Sequence, residues 1–141
     1  MGGAGTVADP RVLSSRRPGG TRVKILIADD DRLVRMMVSD LLAELGHAVV
    51  QAANGLEAVA AIEREAPDLV ILDLLMPRLS GLDALQRVRE KGVRTPAVLL
   101  TAISGGSLRG LDGADAVDVV LEKPVTRRSL ERALARAARA R

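Results

Sequence analysis

The sequence VKILIADDD at residues 23–31 sets the fold. Its first six residues are almost all apolar, which is typical of a strand covered on both faces of a sheet. From Arg32, apolar residues recur at the spacing of one helix face until Gly46, and Asp31 stands at the expected N-cap. The stretch therefore predicts a buried strand, an acidic turn and an amphipathic helix.

The same pattern of strand and helix recurs along the chain. The further predicted strands are His47–Ala52, Leu69–Leu72, Ala97–Leu100 and Val117–Leu121. The further predicted helices are Leu56–Glu65, a segment marked by Leu82, Leu85 and Val88, a weak Gly-rich segment at 104–113, and Ser129–Arg139. Five strands alternating with five helices indicate an α/β fold with a parallel sheet covered on both faces. The expected strand order is 2-1-3-4-5, which places a ligand site at the carboxyl ends of strands 1 and 3.

Composition limits the classes of function. The 141 residues suit one domain, predicted at 22–140, after a disordered tail at 1–21 that is rich in Gly, Ser, Pro and Arg. The absence of Cys, with His47 as the one histidine, excludes disulfides, thiolate zinc sites and histidine metal clusters. The absence of Phe, Tyr and Trp disfavours modules that stack bases. With no apolar run of membrane length and no signal-like start, we expect a cytoplasmic protein without membrane contact.

The net charge of +3 conceals a split along the chain. Residues 1–24 carry +4 and residues 127–141 carry +5, whereas residues 25–126 carry 10 basic and 16 acidic side chains. Basic tails are most often simply solvated, so nucleic-acid binding by this chain alone is not expected.

Polar side chains follow the carboxyl ends of four predicted strands. Asp29 and Asp30 follow strand 1, Asp73 follows strand 3, Thr101 follows strand 4 and Lys123 follows strand 5. Any one of them has an ordinary explanation as a cap, a strand terminus or a surface charge. Together they predict one pocket, because strands 1, 3, 4 and 5 are neighbours in the expected order.

The residue types in this pocket suit phosphoryl transfer. Crowded carboxylates repel one another unless a cation lies among them, and ligation by oxygen alone suits Mg²⁺. The Asp73 carboxylate can act as a nucleophile toward phosphorus. The Lys123 ammonium and the Thr101 hydroxyl can neutralise the phosphoryl oxygens.

Four motifs in the sequence resemble the receiver domain of two-component response regulators, over roughly residues 22–140. They are Lys24–Asp31 (KILIADDD), Ile71–Pro77 (ILDLLMP) with Gly81, Leu99–Ala102 (LLTA) and Glu122–Pro124 (EKP). The resemblance implies a flavodoxin-like (βα)5 three-layer sandwich. It also implies phosphorylation by a histidine kinase or a histidine phosphotransfer protein.

The resemblance assigns a role to each polar residue of the pocket. Asp73 resembles the phosphoacceptor, and it would bind Mg²⁺ directly together with Asp30 and the backbone carbonyl of Leu75. Asp29 would contact the metal through water. Thr101 resembles the switch hydroxyl and Lys123 the lysine that pairs with the phosphoryl group. The Lys123–Pro124 bond matches the cis peptide of the family.

Three positions depart from the family pattern. Val120 replaces an aromatic residue on the last strand, so the usual coupling of an aromatic rotamer to threonine movement is absent. The Gly-rich segment at 104–113 predicts a mobile signalling face. Leu75 and Ile103 replace polar residues that position hydrolytic water, which predicts a long-lived aspartyl phosphate.

Other classes of function remain possible from the sequence. A pseudo-receiver that binds partners without phosphorylation is the main alternative. An aspartate-nucleophile phosphohydrolase is disfavoured, because Leu75 stands where a second acid would protonate the leaving group. A nucleotide-binding enzyme is disfavoured because strand 1 leads into three aspartates rather than a Gly-rich loop. The sequence does not identify the kinase or the output protein. We expect a monomer or a weak dimer. The receiver either stands alone or is part of a longer regulator.

Overall fold

The computed structural model describes residues 23–102, 111 and 113–140. The predicted tail at 1–21, Ile103 and most of the Gly-rich segment at 104–113 lie outside the described residues.

Five parallel strands form one sheet in the order β2-β1-β3-β4-β5, as predicted. The strands are β1 (Lys24–Ala28), β2 (Ala48–Ala52), β3 (Leu69–Asp73), β4 (Ala97–Thr101) and β5 (Val119–Glu122). The described α-helices are α1 (Arg32–Glu44), α2 (Gly55–Glu65), α3 (Gly81–Glu90) and α4 (Arg127–Ala138). A short 3₁₀ turn at Ala114–Ala116 precedes β5.

Each face of the sheet carries its own apolar core. Successive residues of a strand point to opposite faces, so Leu26 and Ala28 enter one core while Ile25 and Ile27 enter the other. Helices α2 and α3 cover the first core, and α1 and α4 cover the second. All four strand residues are fully buried, which explains the nearly continuous apolar run.

Two element boundaries differ from the predicted ones for identifiable reasons. Helix α4 begins at Arg127, two residues before the predicted start, because Thr126 and Ser129 form a reciprocal capping box. Strand β5 begins at Val119 rather than Val117, because the 3₁₀ turn ends at Ala116 and the Val117 amide donates back to the Ala114 carbonyl. The left-handed φ of +89° at Gly113 suits glycine.

The loop that follows β3 is held tightly against the sheet. A Cβ at Gly81 would lie 2.2 Å from the carbonyl oxygen of Asp73, and the Gly81 amide donates to the carbonyl of Leu74. Only glycine allows this approach, so helix α3 starts directly beside the last residue of β3. Within the described ranges, no helix is both long and apolar enough to cross a membrane.

Candidate functional site

The predicted pocket lies at the carboxyl edge of the sheet. Asp29 directly follows β1, Asp73 and Thr101 are the last residues of β3 and β4, and Lys123 directly follows β5. The strand registers place these ends side by side, since Asp73 pairs with Leu100 and Thr101 pairs with Glu122, the residue before Lys123. The convergence predicted from the sequence is therefore present in the fold.

Lys123 joins the two buried carboxylates. Its Nζ lies 3.2 Å from Asp29 Oδ2 and 3.2 Å from Asp73 Oδ1. Its backbone amide donates to the carbonyl of Thr101 at 2.8 Å, which fixes the turn after β5 against β4. Asp29 is fully buried, Asp73 is 6% exposed and Thr101 is 2% exposed. The pocket thus keeps one ammonium group between two carboxylates that are largely removed from water.

Asp29 is oriented by groups from the first turn of α1. The Asp31 amide donates to Asp29 Oδ1 at 2.8 Å, while the Asp31 side chain caps α1 through the amides of Leu33 and Val34. Arg35 donates from Nη1 to the Asp29 carbonyl at 2.7 Å and from Nε to Gln51 at 3.1 Å. Sequence reasoning did not single out Arg35, because an arginine on an amphipathic helix usually points into solvent.

Asp30 completes an acidic cluster. Its side chain is exposed, and one carboxylate oxygen from each of Asp29, Asp30 and Asp73 lies within 4.8 Å of the others. Asp31, the third aspartate of the run, acts as the helix cap instead. The structure therefore separates two aspartates of the pocket from one with a structural role.

The pKa of Asp73 shifts upward from 3.8 to about 6. Burial is the main cause, because it disfavours the charged form, and the negative charge of Asp29 adds to it. Lys123 opposes both effects without cancelling them. For Lys123 itself, burial lowers the pKa, but the attraction of the Asp29 and Asp73 carboxylates outweighs burial and raises the pKa above its ordinary value.

The cluster fits a hard divalent cation. Asp29 Oδ2 is fully buried and accepts no hydrogen bond, although it lies within ion-pair distance of Lys123. A buried carboxylate oxygen without a hydrogen bond is costly unless a positive ligand completes it. Three carboxylates on one side of the pocket supply the all-oxygen donor set that Mg²⁺ prefers. The residues present are thus compatible with the predicted magnesium ion.

Leu75 and Val120, which depart from the family pattern, are among the described residues. Leu75 follows Asp73 in the loop and is 73% exposed, so its side chain stands in solvent beside the pocket. Val120 is a partly buried residue of β5, three residues before Lys123. Ile103 lies outside the described residues. The Lys123–Pro124 peptide bond is cis, as the resemblance implied.

The family model for the response regulator receiver domain matches residues 25–135. This chain belongs to the response regulator receiver family. The match spans all five strands and the acidic pocket, so the resemblance inferred from the motifs is confirmed. Receiver domains of this family are signalling domains that bind Mg²⁺ at an acidic pocket.

Curated relatives of the receiver are similar over most of this chain. Response regulator MprA of Mycobacterium sp. (strain KMS) is 41% identical over 116 residues, which cover 81% of this chain and 48% of the relative. The probable transcriptional regulator ycf27 of Porphyridium aerugineum is 40% identical over 111 residues, covering 77% of this chain and 45% of the relative. The chain thus spans less than half the length of these relatives.

Solved receiver structures share the fold. The chemotaxis response regulator CheY4 of Vibrio cholerae superposes with a TM-score of 0.75 at 31% identity, covering 83% of this chain and 99% of that one. The receiver domain of Francisella response regulator 1452 gives a TM-score of 0.73 at 28% identity, covering 84% and 99%. The predicted flavodoxin-like (βα)5 architecture is confirmed.

Proposed function

We propose that Asp73 accepts a phosphoryl group from a phosphohistidine of a partner kinase or phosphotransfer protein. The observation that carries this proposal is the contact of one ammonium group, Lys123 Nζ, with the carboxylates of Asp29 and Asp73 at 3.2 Å each. An oxygen of Asp73 would form the new bond to phosphorus, and the P–N bond of the donor would break; with the second ring nitrogen of the phosphohistidine protonated beforehand, the leaving group is a neutral imidazole. The product is an aspartyl phosphate at the carboxyl edge of the sheet.

Several residues around Asp73 would stabilise the transferred phosphoryl group, each in a different way. Asp29, Asp30, Asp73 and the Leu75 carbonyl would hold Mg²⁺, with Asp29 acting through water. When bound, the ion neutralises negative charge on the phosphoryl oxygens. Lys123 supplies a positive charge 3.2 Å from the carboxylates of both Asp29 and Asp73.

The protonation state of Asp73 favours nucleophilic attack at neutral pH. With a pKa of about 6, the carboxyl group is roughly nine-tenths ionised one pH unit higher. The same elevated pKa makes the carboxylate a more basic nucleophile than a solvated aspartate. Below pH 6, protonation removes the nucleophile, so phosphorylation without bound metal should fall.

Signalling would follow from a shift between two conformations of the receiver. Thr101, buried at the end of β4, is placed to supply the hydroxyl that responds to the phosphoryl group. Val120 cannot supply an aromatic rotamer, so the response must pass through backbone and aliphatic packing. We place this receiver at residues 22–140, expect it to act in the cytoplasm, and expect a monomer or weak dimer that signals to an output partner.

A direct test uses a small phosphodonor such as phosphoramidate with Mg²⁺ and intact-mass spectrometry. We expect one added phosphoryl group that is stable in acid and labile in base, and its absence in Asp73→Asn. Asp40→Asn, which removes an exposed carboxylate from α1, is the matched control and should be modified like the wild type. No modification of a correctly folded wild-type protein would favour a receiver that acts without phosphorylation.

A further inference from the structure

Helix α4 carries three exposed arginines in one row, Arg128, Arg132 and Arg136, and its C-cap Arg139 continues the row. Steps of four and three residues advance about 400° and 300° around a helix, so these side chains stay within an arc of roughly 80°. At 1.5 Å per residue the row is ~16 Å long. The sequence interpretation treated the C-terminal basic residues as a solvated tail, whereas the structure places these four on a folded helix. We call them the arginine row.

The other faces of α4 already have structural roles. Leu130, Ala133 and Ala137 are buried in the core shared with α1, on a side roughly 140° around the helix from the arginine row. Arg127 pairs with Glu44 of α1, with 3.0 Å between Nη1 and Oε1. The arginine row therefore contributes nothing to the packing of the described domain.

The arginine row is also not neutralised by the fold. Among the described residues, no carboxylate forms an ion pair with any of its four members. Glu131 is the one acidic residue of α4. Arginines four residues apart on a helix repel one another, so the row opposes helix formation slightly. A surface that is unfavourable for folding and unpaired within the domain suits an anionic ligand.

The surroundings of the row distinguish among classes of anionic ligand. A protein interface needs desolvated apolar or aromatic anchors, and a membrane-surface helix needs an apolar face turned to lipid. Helix α4 offers neither, since its apolar face is buried. The exposed large apolar residues of the described chain all lie elsewhere: Leu33, Met36, Met37, Leu56, Leu75 and Leu111. A regular chain of phosphates, in contrast, is bound by charge and hydrogen bonds alone.

We propose that the arginine row binds the phosphodiester backbone of a nucleic-acid duplex without reading its sequence. Phosphates of one strand rise about 3.4 Å each along the duplex axis while the strand winds around it, so they lie about 7 Å apart along the strand and a straight row of ~16 Å faces about three of them. Arginine suits this contact because its planar guanidinium donates two parallel hydrogen bonds to phosphate oxygens. The acidic body, with 16 acidic and 10 basic side chains at 25–126, would keep the rest of the domain away from the duplex. This inference does not depend on phosphorylation of Asp73.

The test measures fluorescence anisotropy of a short random-sequence DNA duplex with the full chain at several salt concentrations. Three phosphate contacts predict a slope of log K against log salt near −2.7, so affinity should fall by about 40-fold between 50 and 200 mM salt. Replacing the whole arginine row with glutamine should reduce the affinity at low salt at least tenfold and flatten the slope by about three. The thermal stability of this glutamine variant should equal or exceed that of the wild type, because repulsion between arginines within the helix is relieved.

A matched control removes the same charge from the opposite face of the sheet. It carries glutamine at four exposed basic positions of the α2 and α3 side: Arg64, Arg87, Lys91 and Arg94. This control should bind the duplex within about threefold of the wild type, because its arginine row is intact. Equal losses in the two variants would show that net charge carries the binding, and no loss in either would assign it to the N-terminal arginines; both outcomes would overturn the proposal. No binding by the wild type, or tighter binding to polyglutamate or to phosphatidylserine vesicles than to the duplex, would overturn the proposal.

Discussion

Replacing Asp73 by asparagine should stabilise the metal-free receiver, although Asp73 is the proposed phosphoacceptor. The carboxyl group of Asp73 has a pKa of about 6 in the folded protein and 3.8 when unperturbed. Folding therefore disfavours the ionised form, mainly through burial and through the charge of Asp29. Asparagine fits the same space without a charge, so it removes this penalty.

The size of the effect follows from the two pKa values. At 1.36 kcal/mol per pKa unit, the difference between 3.8 and about 6 corresponds to ~3 kcal/mol. Between pH 4 and 6 the folded state holds the Asp73 proton more tightly than the unfolded state. The Asp73 contribution to stability therefore falls as the pH rises through this window, and the full penalty remains above pH 6. A change of ~3 kcal/mol is large against the 5–15 kcal/mol that stabilise a typical domain.

Urea unfolding monitored by far-UV circular dichroism, from pH 4 to 8 without divalent metal, measures the difference between the variant and the wild type. We expect Asp73→Asn to be more stable by about 2–3 kcal/mol at pH 7.5 and nearly equal to the wild type at pH 4. Added Mg²⁺ should stabilise the wild type, by about 2.7 kcal/mol at a hundredfold excess over its dissociation constant, and the variant much less.

Asp40→Asn is the control, because it removes an exposed carboxylate from α1 and should change stability by less than about 0.5 kcal/mol. The reasoning is refuted if Asp73→Asn is no more stable than the wild type at pH 7.5. It is equally refuted if its advantage is the same at pH 4 as at pH 7.5, because the stabilisation then does not come from removing a charge.

Three further substitutions probe other parts of the domain. Leu75→Asn should speed loss of the phosphoryl group by about tenfold, or ~1.4 kcal/mol of barrier, because it gives water a polar neighbour. Leu56→Asn, which changes another exposed leucine, is the control and should leave this rate unchanged. Release of inorganic phosphate measures both rates. Gly81→Ala should cost more than about 2 kcal/mol in urea unfolding, because its Cβ would lie 2.2 Å from the Asp73 carbonyl oxygen. Asp118→Ala should cost about 3 kcal/mol in the same assay, since it removes both the carboxylate 3.4 Å from the largely buried guanidinium of Arg89 and the acceptor for the Ala97 amide; a cost below about 1 kcal/mol would contradict this.

Much of the fold was predictable because strand and helix periodicities are local properties of the sequence. The residues of strands Lys24–Ala28 and Leu69–Asp73 are buried, except Lys24, which is partly buried. Boundaries were less predictable where short-range hydrogen bonds decide them, as with the Thr126 capping box. The Gly-rich segment at 104–113 remains a prediction apart from its last residues, which precede the 3₁₀ turn.

The site was predictable as a set of residues but not as a geometry. Position after a strand end was enough to select Asp29, Asp73, Thr101 and Lys123, because all strands of a parallel sheet end at one edge. The support that Arg35 gives to the Asp29 carbonyl was not predictable, since it depends on the angle at which α1 leaves β1. The metal ligands and the lifetime of the phosphoryl group stay predictions.

The sequence by itself determined the order of strands and helices and the chemical types that meet at the carboxyl edge, because both follow from local pattern and chain order. Only the tertiary structure decided that Lys123 lies 3.2 Å from two carboxylates and that burial raises the pKa of Asp73 to about 6. It also decided that the arginine row stands on a folded helix without acidic partners among the described residues. Distances and burial depend on how separate elements pack, and no local pattern encodes that.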